Sequence, residues 1–178
     1  SPRRRELLAG LDIDYRVTAL PEVDESYPDT LSGEEIPLYI SQEKAAAYRR
    51  FMKDNTLLIT ADTIVWLDGK VYGKPRDIAD AKAMLQALSG KTHTVITGVT
   101  LTSLQKQISF TVSTEVTFAA LGDDEIDYYV EKYRPLDKAG AYGVQEWIGY
   151  IGVTGLKGSY YNVMGLPIQR LYTELKKF

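Results

Sequence analysis

Leu57-Leu58-Ile59-Thr60-Ala61-Asp62-Thr63-Ile64-Val65-Trp66 runs into Asp68-Gly69 and returns through Val71-Tyr72-Gly73-Lys74-Pro75. The first segment is dense in aliphatic and β-branched residues, the mark of a strand with much of its surface buried. Asp68-Gly69 is a two-residue hairpin signal, because both positions tolerate positive φ. Asp62 interrupts the apolar run. A carboxylate there is costly to bury unless a cation, a metal or hydrogen-bond donors receive it. The hairpin brings Lys74 back toward Asp62, and Gly73 leaves room beside it. An acid and a base meeting at a strand end read as a site.

Around that hairpin lies a chain of 178 residues, enough for one domain, or one domain with a lobe, and a full core. Apolar residues make up 44% and charged residues 25%, the balance of an ordinary soluble globule. The net charge of −3 gives no general attraction to nucleic acid or anionic membrane, so an anion site must come from local clustering. There are no cysteines and one histidine, which excludes disulfides and thiolate metal sites and argues against zinc. No apolar run has membrane-spanning length, and no signal peptide is expected. The absence of disulfides fits a reducing, cytoplasmic setting.

Ser1-Pro2 opens a helix, with Ser1 as N-cap and Pro2 at the first helical position. Arg3, Arg4 and Arg5 then oppose the helix dipole. Arginines beside free backbone N–H groups suit a phosphate, although a solvated basic turn would tolerate the same penalty. Val17 to Gly33 reads as an acidic loop containing Pro21, Glu22, Asp24, Glu25 and Asp29. Most of these carboxylates are read as solvated, and one could bind a divalent cation held by a polyphosphate. Pro37 to Met52 is the next helix, with Ile40, Ala47, Tyr48 and Phe51 on one face and Lys44 within it. That lysine either snorkels to water or points at the pocket of Asp62.

Asp77 caps a helix from Ile78 to Ser89 that Gly90 ends. His93 reads as a hydrogen-bonded structural residue. Strands over Thr94–Thr102 and Ile108–Phe118 form an antiparallel pair through the Ser103–Gln107 turn. A helix over Asp123–Tyr133 takes Asp123 or Asp124 as its cap. Leu136 to Pro167 carries seven glycines among tyrosines, which allows sharp turns and close backbone approach. Leu166-Pro167-Ile168 opens the last helix.

Known phosphate motifs do not fit. Gly69 to Lys74 imitates a P-loop, but the spacing is short and Pro75 replaces the Ser/Thr. There is no Gly-x-Gly-x-x-Gly after a first strand and no Gly-x-Ser-x-Gly. What remains is a dispersed set of bases, Arg3, Arg4, Lys44 and Lys74, and of acids, Asp62 and Glu25. Such a set suits metal-assisted attack of water on a phosphoanhydride, and it also suits structural ion pairs. Carboxylates beside lysines are expected to stay ionised at neutral pH.

Ser1-Pro2-Arg3-Arg4-x-Glu6-Leu7-Leu8, Glu43-Lys44-Ala45, Ala61-Asp62-Thr63-x-Val65, Gly73-Lys74-Pro75, Leu88-Ser89-Gly90 with His93, Val95 and Thr97-Gly98-Val99, Asp137-Lys138-Ala139-Gly140-Ala141-Tyr142-Gly143-x-Gln145, and Gly158-Ser159-Tyr160-Tyr161-Asn162-Val163-x-Gly165-Leu166-Pro167 form a set of blocks. Together these blocks resemble the Maf family of nucleoside triphosphate pyrophosphatases. They cover nearly the whole chain in order, as one domain over residues 1–178. The resemblance implies an α/β fold with an elongated mixed β-sheet, flanking helices and a cleft between two lobes, related to the inosine triphosphate pyrophosphatases. It implies hydrolysis of a nucleoside triphosphate to the monophosphate and pyrophosphate with Mg²⁺ or Mn²⁺, and it suggests a homodimer. Asp62 falls on the family's proton acceptor. Arg3, Arg4, Lys44 and Lys74 fall on its phosphate-binding bases, with Ser1 beside them, and Glu25 falls on a second acidic position expected to ligate metal with Asp62.

Ser-Pro-Arg-Arg, Ala-Asp-Thr and Tyr-Gly-x-Gln resemble the branch acting on dTTP and UTP, with specificity positions at Arg3, Thr63 and Gln145. A side-chain amide can accept from the N3–H of uracil or thymine and donate to a neighbouring carbonyl. The alternatives are the same chemistry on 7-methyl-GTP or other modified nucleotides, and a non-catalytic nucleotide-binding regulator of septum formation. The family pattern commonly starts with an apolar strand and a further serine ahead of the position of Ser1, so a strand is expected before this chain. Glu146-Trp147-Ile148-Gly149 also departs from the small or basic residues that many relatives carry after Gln145.

Overall fold

The computed structural model describes residues 1–19 and 22–178, so Pro21 of the acidic stretch lies outside the described residues. The opening hairpin forms as its turn chemistry demands. β1 (Leu58–Leu67) folds back onto β2 (Lys70–Tyr72) through Asp68 at φ 51° and Gly69 at φ 77°. β3 (Thr92–Thr102) pairs with the other edge of β1, β4 (Gln107–Phe118) with β3, and β5 (Val153–Lys157) with β4, in the order β2-β1-β3-β4-β5. The sheet that resemblance implied to be mixed is antiparallel at all four of these interfaces. Tight turns at Asp68-Gly69 and Ser103–Lys106 impose that direction on two of them.

β2 is short. It pairs only with Val65 to Leu67, then peels away at Gly73. The edge of β1 at Asp62 and Thr63 is therefore left without a strand neighbour among the described residues.

Seven α-helices flank the sheet in the described residues: α1 (Pro2–Ala9), α2 (Glu35–Arg49), α3 (Ile78–Leu88), α4 (Asp123–Tyr133), α5 (Trp147–Gly152), α6 (Tyr160–Met164) and α7 (Ile168–Leu175). The Ser1 hydroxyl caps α1 by accepting from Arg4 N at 3.5 Å. Asp77 caps α3 by accepting from Asp80 N at 2.7 Å. The cap of α4 is Gly122, not Asp123 or Asp124, because the Glu125 carboxylate reaches back to accept Gly122 N at 2.8 Å. α2 begins and ends earlier than its sequence pattern suggested, and its buried face is Ile36, Ile40, Ser41 and Ala45. Phe51 falls beyond the helix and is 54% exposed.

One face of the sheet carries two separate apolar cores. Val65, Val95, Val116 and Phe118 pack with α3, α4 and Ile148 of α5. Ala61, Val99, Leu101 and Phe110 pack with Leu7 of α1 and Leu171 of α7. On all three central strands the alternation that links the cores passes through a polar or half-buried residue: Thr63, Thr97 and Val112 to Thr114. The cleft between lobes is this seam. Asn162 of α6 bridges it, donating to Val95 O at 3.2 Å, Val112 O at 3.0 Å and Thr114 Oγ1 at 3.0 Å.

α2 lies on the opposite face, with Ile36 and Ile40 against Ile64 and Ile96. Its height is set by hydroxyls: Ser41 Oγ lies 2.7 Å from Thr100 Oγ1, and Thr60 Oγ1 donates to Ser41 O at 2.7 Å. The approach is close because Gly98 has no side chain. A Cβ there would collide with the carbonyl group of Pro37. Backbone cannot yield as a flexible side chain can, so Gly98→Ala is expected to cost about 3 kcal/mol or more. Urea unfolding checks this: the midpoint should fall with the slope unchanged, and a wild-type midpoint would show that the helix lifts without cost.

Candidate active site

A pocket opens where the free edge of β1 meets the seam. Ser1, Arg3 and Arg4 reach it from α1, Glu25 from the loop ahead of α2, and Lys44 from α2 itself. Asp62 and Thr63 come from β1, Lys74 from the irregular segment that leaves β2, and Gln145 from the glycine-rich stretch. Every candidate site residue of the sequence analysis thus lines one wall or another of a single pocket.

Lys44 is the hub. Its Nζ donates to Ala61 O at 3.0 Å and lies 3.5 Å from Asp62 Oδ1 and 3.2 Å from Glu25 Oε1. The snorkelling alternative is thereby replaced by an inward-facing lysine with 18% of its side chain exposed. Asp62 is more enclosed, at 13%, whereas Glu25 keeps half its surface in solvent. Burial raises the Asp62 pKa above the usual carboxylate range; Lys44 and Arg4 pull it down, and the charge of Glu25 adds to the rise. Desolvation outweighs the cations, a balance that sequence pairing could not weigh.

Arg4 turns away from the acids. Its Nε donates to Gly165 O at 2.8 Å and an Nη donates to Thr63 Oγ1 at 3.0 Å. Thr63 Oγ1 is in turn 2.9 Å from Thr97 Oγ1, so the seam is hydrogen-bonded across. Arg3 pairs with Asp137 at 3.2 Å. Lys74 has no acidic partner within ion-pair distance among the described residues and is exposed at the pocket mouth. Gly73 O accepts from Gly140 N at 3.1 Å, which ties the hairpin return to the glycine-rich stretch.

Gln145 Oε1 is buried without a hydrogen-bond partner. A buried acceptor left unpaired is costly, and a ligand donor would relieve it. Sequence reasoning passed over Lys138, which lines the pocket and lies 3.0 Å from Asp137. The adjacent charges Asp137-Lys138, just before the glycine run, were the available signal. His93 is structural, as its setting suggested. It is buried against Phe118, its Nε2 is 2.6 Å from Tyr142 Oη, and burial pushes its pKa down to about 4.

No group of three or more metal-ligating side chains occurs among the described residues. Glu25 and Asp62 both lie within ion-pair distance of Lys44, and such a pair of carboxylates fits a Mg²⁺-type ion that takes its other ligands from phosphate and water. Cations gathered around a largely enclosed carboxylate, with an unpaired amide oxygen in the same pocket, are chemistry that suits a polyanion carrying a hydrogen-bonding head. The chain belongs to the Maf-like protein family, whose pattern matches residues 1–178. It is 67% identical over 177 residues to a dTTP/UTP pyrophosphatase of Phocaeicola vulgatus, covering 99% of this chain and 92% of that one. Proteins with the same name in Bacteroides thetaiotaomicron and Flavobacterium psychrophilum are 64% and 48% identical, over 99% and 98% of this chain and 92% and 89% of theirs. No helix among the described residues is long and apolar enough to cross a membrane.

Proposed function

We propose that the protein hydrolyses dTTP and UTP between the α and β phosphates, giving the monophosphate and pyrophosphate. The observation that carries this reading is the unpaired Gln145 Oε1, in the same pocket as the Asp62–Lys44 pair. Gln145 accepts the N3–H of uracil or thymine and donates from its amide nitrogen to a ring carbonyl, a pattern cytosine inverts. Lys44, Lys74 and Arg3 bear on the triphosphate. Arg4 fixes the wall they stand on through Gly165 and Thr63. Ionised Asp62 orients a water and takes its proton as the oxygen attacks the α-phosphorus; the bond to the bridging oxygen breaks and pyrophosphate leaves. Glu25 and Asp62 would hold a divalent cation, Mg²⁺ or Mn²⁺, which when bound offsets phosphate charge. A cytoplasmic location and a homodimer belong to the reading on the strength of the resemblance.

Pyrophosphate release from dTTP, UTP, CTP, 7-methyl-GTP and ITP, each with Mg²⁺ and with Mn²⁺, tests it. dTTP and UTP should exceed CTP in kcat/KM by about a hundredfold, the scale of leaving one buried polar group unpaired. Activity confined to purines would reject the pyrimidine assignment. Binding without turnover of any nucleotide would favour the regulator reading.

A further inference from the structure

Gln145 has no hydrogen bond through Oε1 to hold it, so its aim must come from the backbone that carries it. That backbone is a turn closed by Glu146 N donating to Gly143 O at 3.0 Å. Both ends of the turn meet one phenol. Tyr129 Oη accepts from Gly143 N at 3.0 Å and donates to Glu146 Oε1 at 2.6 Å. Gly143 makes this possible, because a Cβ on it would lie 2.6 Å from Glu146 Oε1 and 3.0 Å from Lys138 Cε. The ring of Tyr129 is fully buried in α4 and stacks on Tyr133 at 5.1 Å between centroids. Neither Tyr129 nor Glu146 lines the pocket.

We infer that the Tyr129 hydroxyl is a positioning group for Gln145: by pinning both ends of the Gly143–Glu146 turn it aims the amide and so sets the choice of base. Burial and the neighbouring Glu146 raise the Tyr129 pKa far above the phenol range, which keeps the hydroxyl protonated and able to donate. Glu146 is itself pulled toward Lys138, 3.8 Å from its Oε1. Lys138 bears on Asp137, the partner of Arg3, so the turn is braced against the phosphate end as well. The departure of Glu146 from a small or basic residue acquires a purpose in this arrangement.

The inference rests on the pyrimidine reading of Gln145, and kinetics on wild type and variants separate the two. Tyr129→Phe keeps the buried ring and removes both hydrogen bonds. Its KM for dTTP and UTP should rise about tenfold with kcat within about twofold, and the dTTP-to-CTP ratio of kcat/KM should fall by about tenfold. Glu146→Gln still accepts from the phenol and should keep the ratio near that of wild type, whereas Glu146→Ala should lose it. If Tyr129→Phe fails to fold, the Glu146 pair alone decides. A folded Tyr129→Phe, or Glu146→Ala, with the wild-type ratio overturns the inference and leaves the pyrimidine reading intact. A uniform fall in kcat on every nucleotide overturns it too, since a merely structural role would act so. A wild type indifferent between dTTP and CTP sinks both.

Discussion

Asp62→Asn is expected to lower kcat for dTTP by about a thousandfold while leaving the thermal midpoint unchanged or raised. The scale is that of removing a positioned general base. The stability half follows from desolvation. Burial raises the pKa of Asp62 against the pull of Lys44 and Arg4, so the ionised carboxylate is held at a cost in the folded chain. A neutral isostere removes that cost. Sites that destabilise a fold in return for chemistry commonly behave this way.

The sign under pH is fixed by the same direction. Between the ordinary and the raised pKa of Asp62 the folded state binds more protons than the unfolded one. Its contribution to stability is therefore present at the acidic end and falls as pH rises through that window. A general base works only when ionised, so in the proposed role of Asp62 the acid limb of kcat/KM should lie above the usual carboxylate range and vanish from any residual activity of Asp62→Asn. Steady-state kinetics across pH, with thermal melts on the same samples, check both. A variant as fast as wild type would remove Asp62 from the reaction.

Lys44→Met is expected to cost about a hundredfold in kcat/KM and to move the acid limb to higher pH. The lysine is the cation nearest both acids, 3.5 Å from Asp62 Oδ1 and 3.2 Å from Glu25 Oε1. Deleting it leaves two carboxylates facing each other in a half-closed pocket, and like charge further opposes ionisation of the buried one. In its proposed role a phosphate clamp is lost as well. Lys74→Met makes the contrast. Lys74 has no ion-pair partner among the described residues, so its loss should raise KM and leave the limb where it was. A Lys44→Met profile with an unshifted limb would show that the lysine grips substrate without tuning Asp62.

The hairpin and the charged residues of the pocket are legible in the sequence for identifiable reasons. Asp68-Gly69 is a turn whose chemistry is local, and a charged residue inside an apolar strand is conspicuous wherever the strand lies. The helix face of Lys44 was harder. The spacing pointed to Ile40, Ala47, Tyr48 and Phe51, and of these only Ile40 is in the buried face, because the hydroxyl ladder of Ser41, Thr60 and Thr100 and the close contact at Gly98 turn Ile36, Ser41 and Ala45 inward with it. Those are tertiary terms with no periodic signature. The glycine-rich stretch hid α5, β5 and α6 because each is only five or six residues long, too short for a moment to register. Tyr129 was invisible for another reason. A tyrosine on the apolar face of a helix looks like core, and only the fold reveals that its hydroxyl meets a turn fourteen residues on.

The contact between Arg4 and the carbonyl of Gly165 spans 161 positions of the chain. One wall of the pocket thus joins segments made far apart in time. During synthesis the Arg4 side chain waits unfastened until Gly165 leaves the ribosome. Closure at such sequence distance slows the search for the native arrangement, and it keeps this wall from being completed piecemeal as the polypeptide grows.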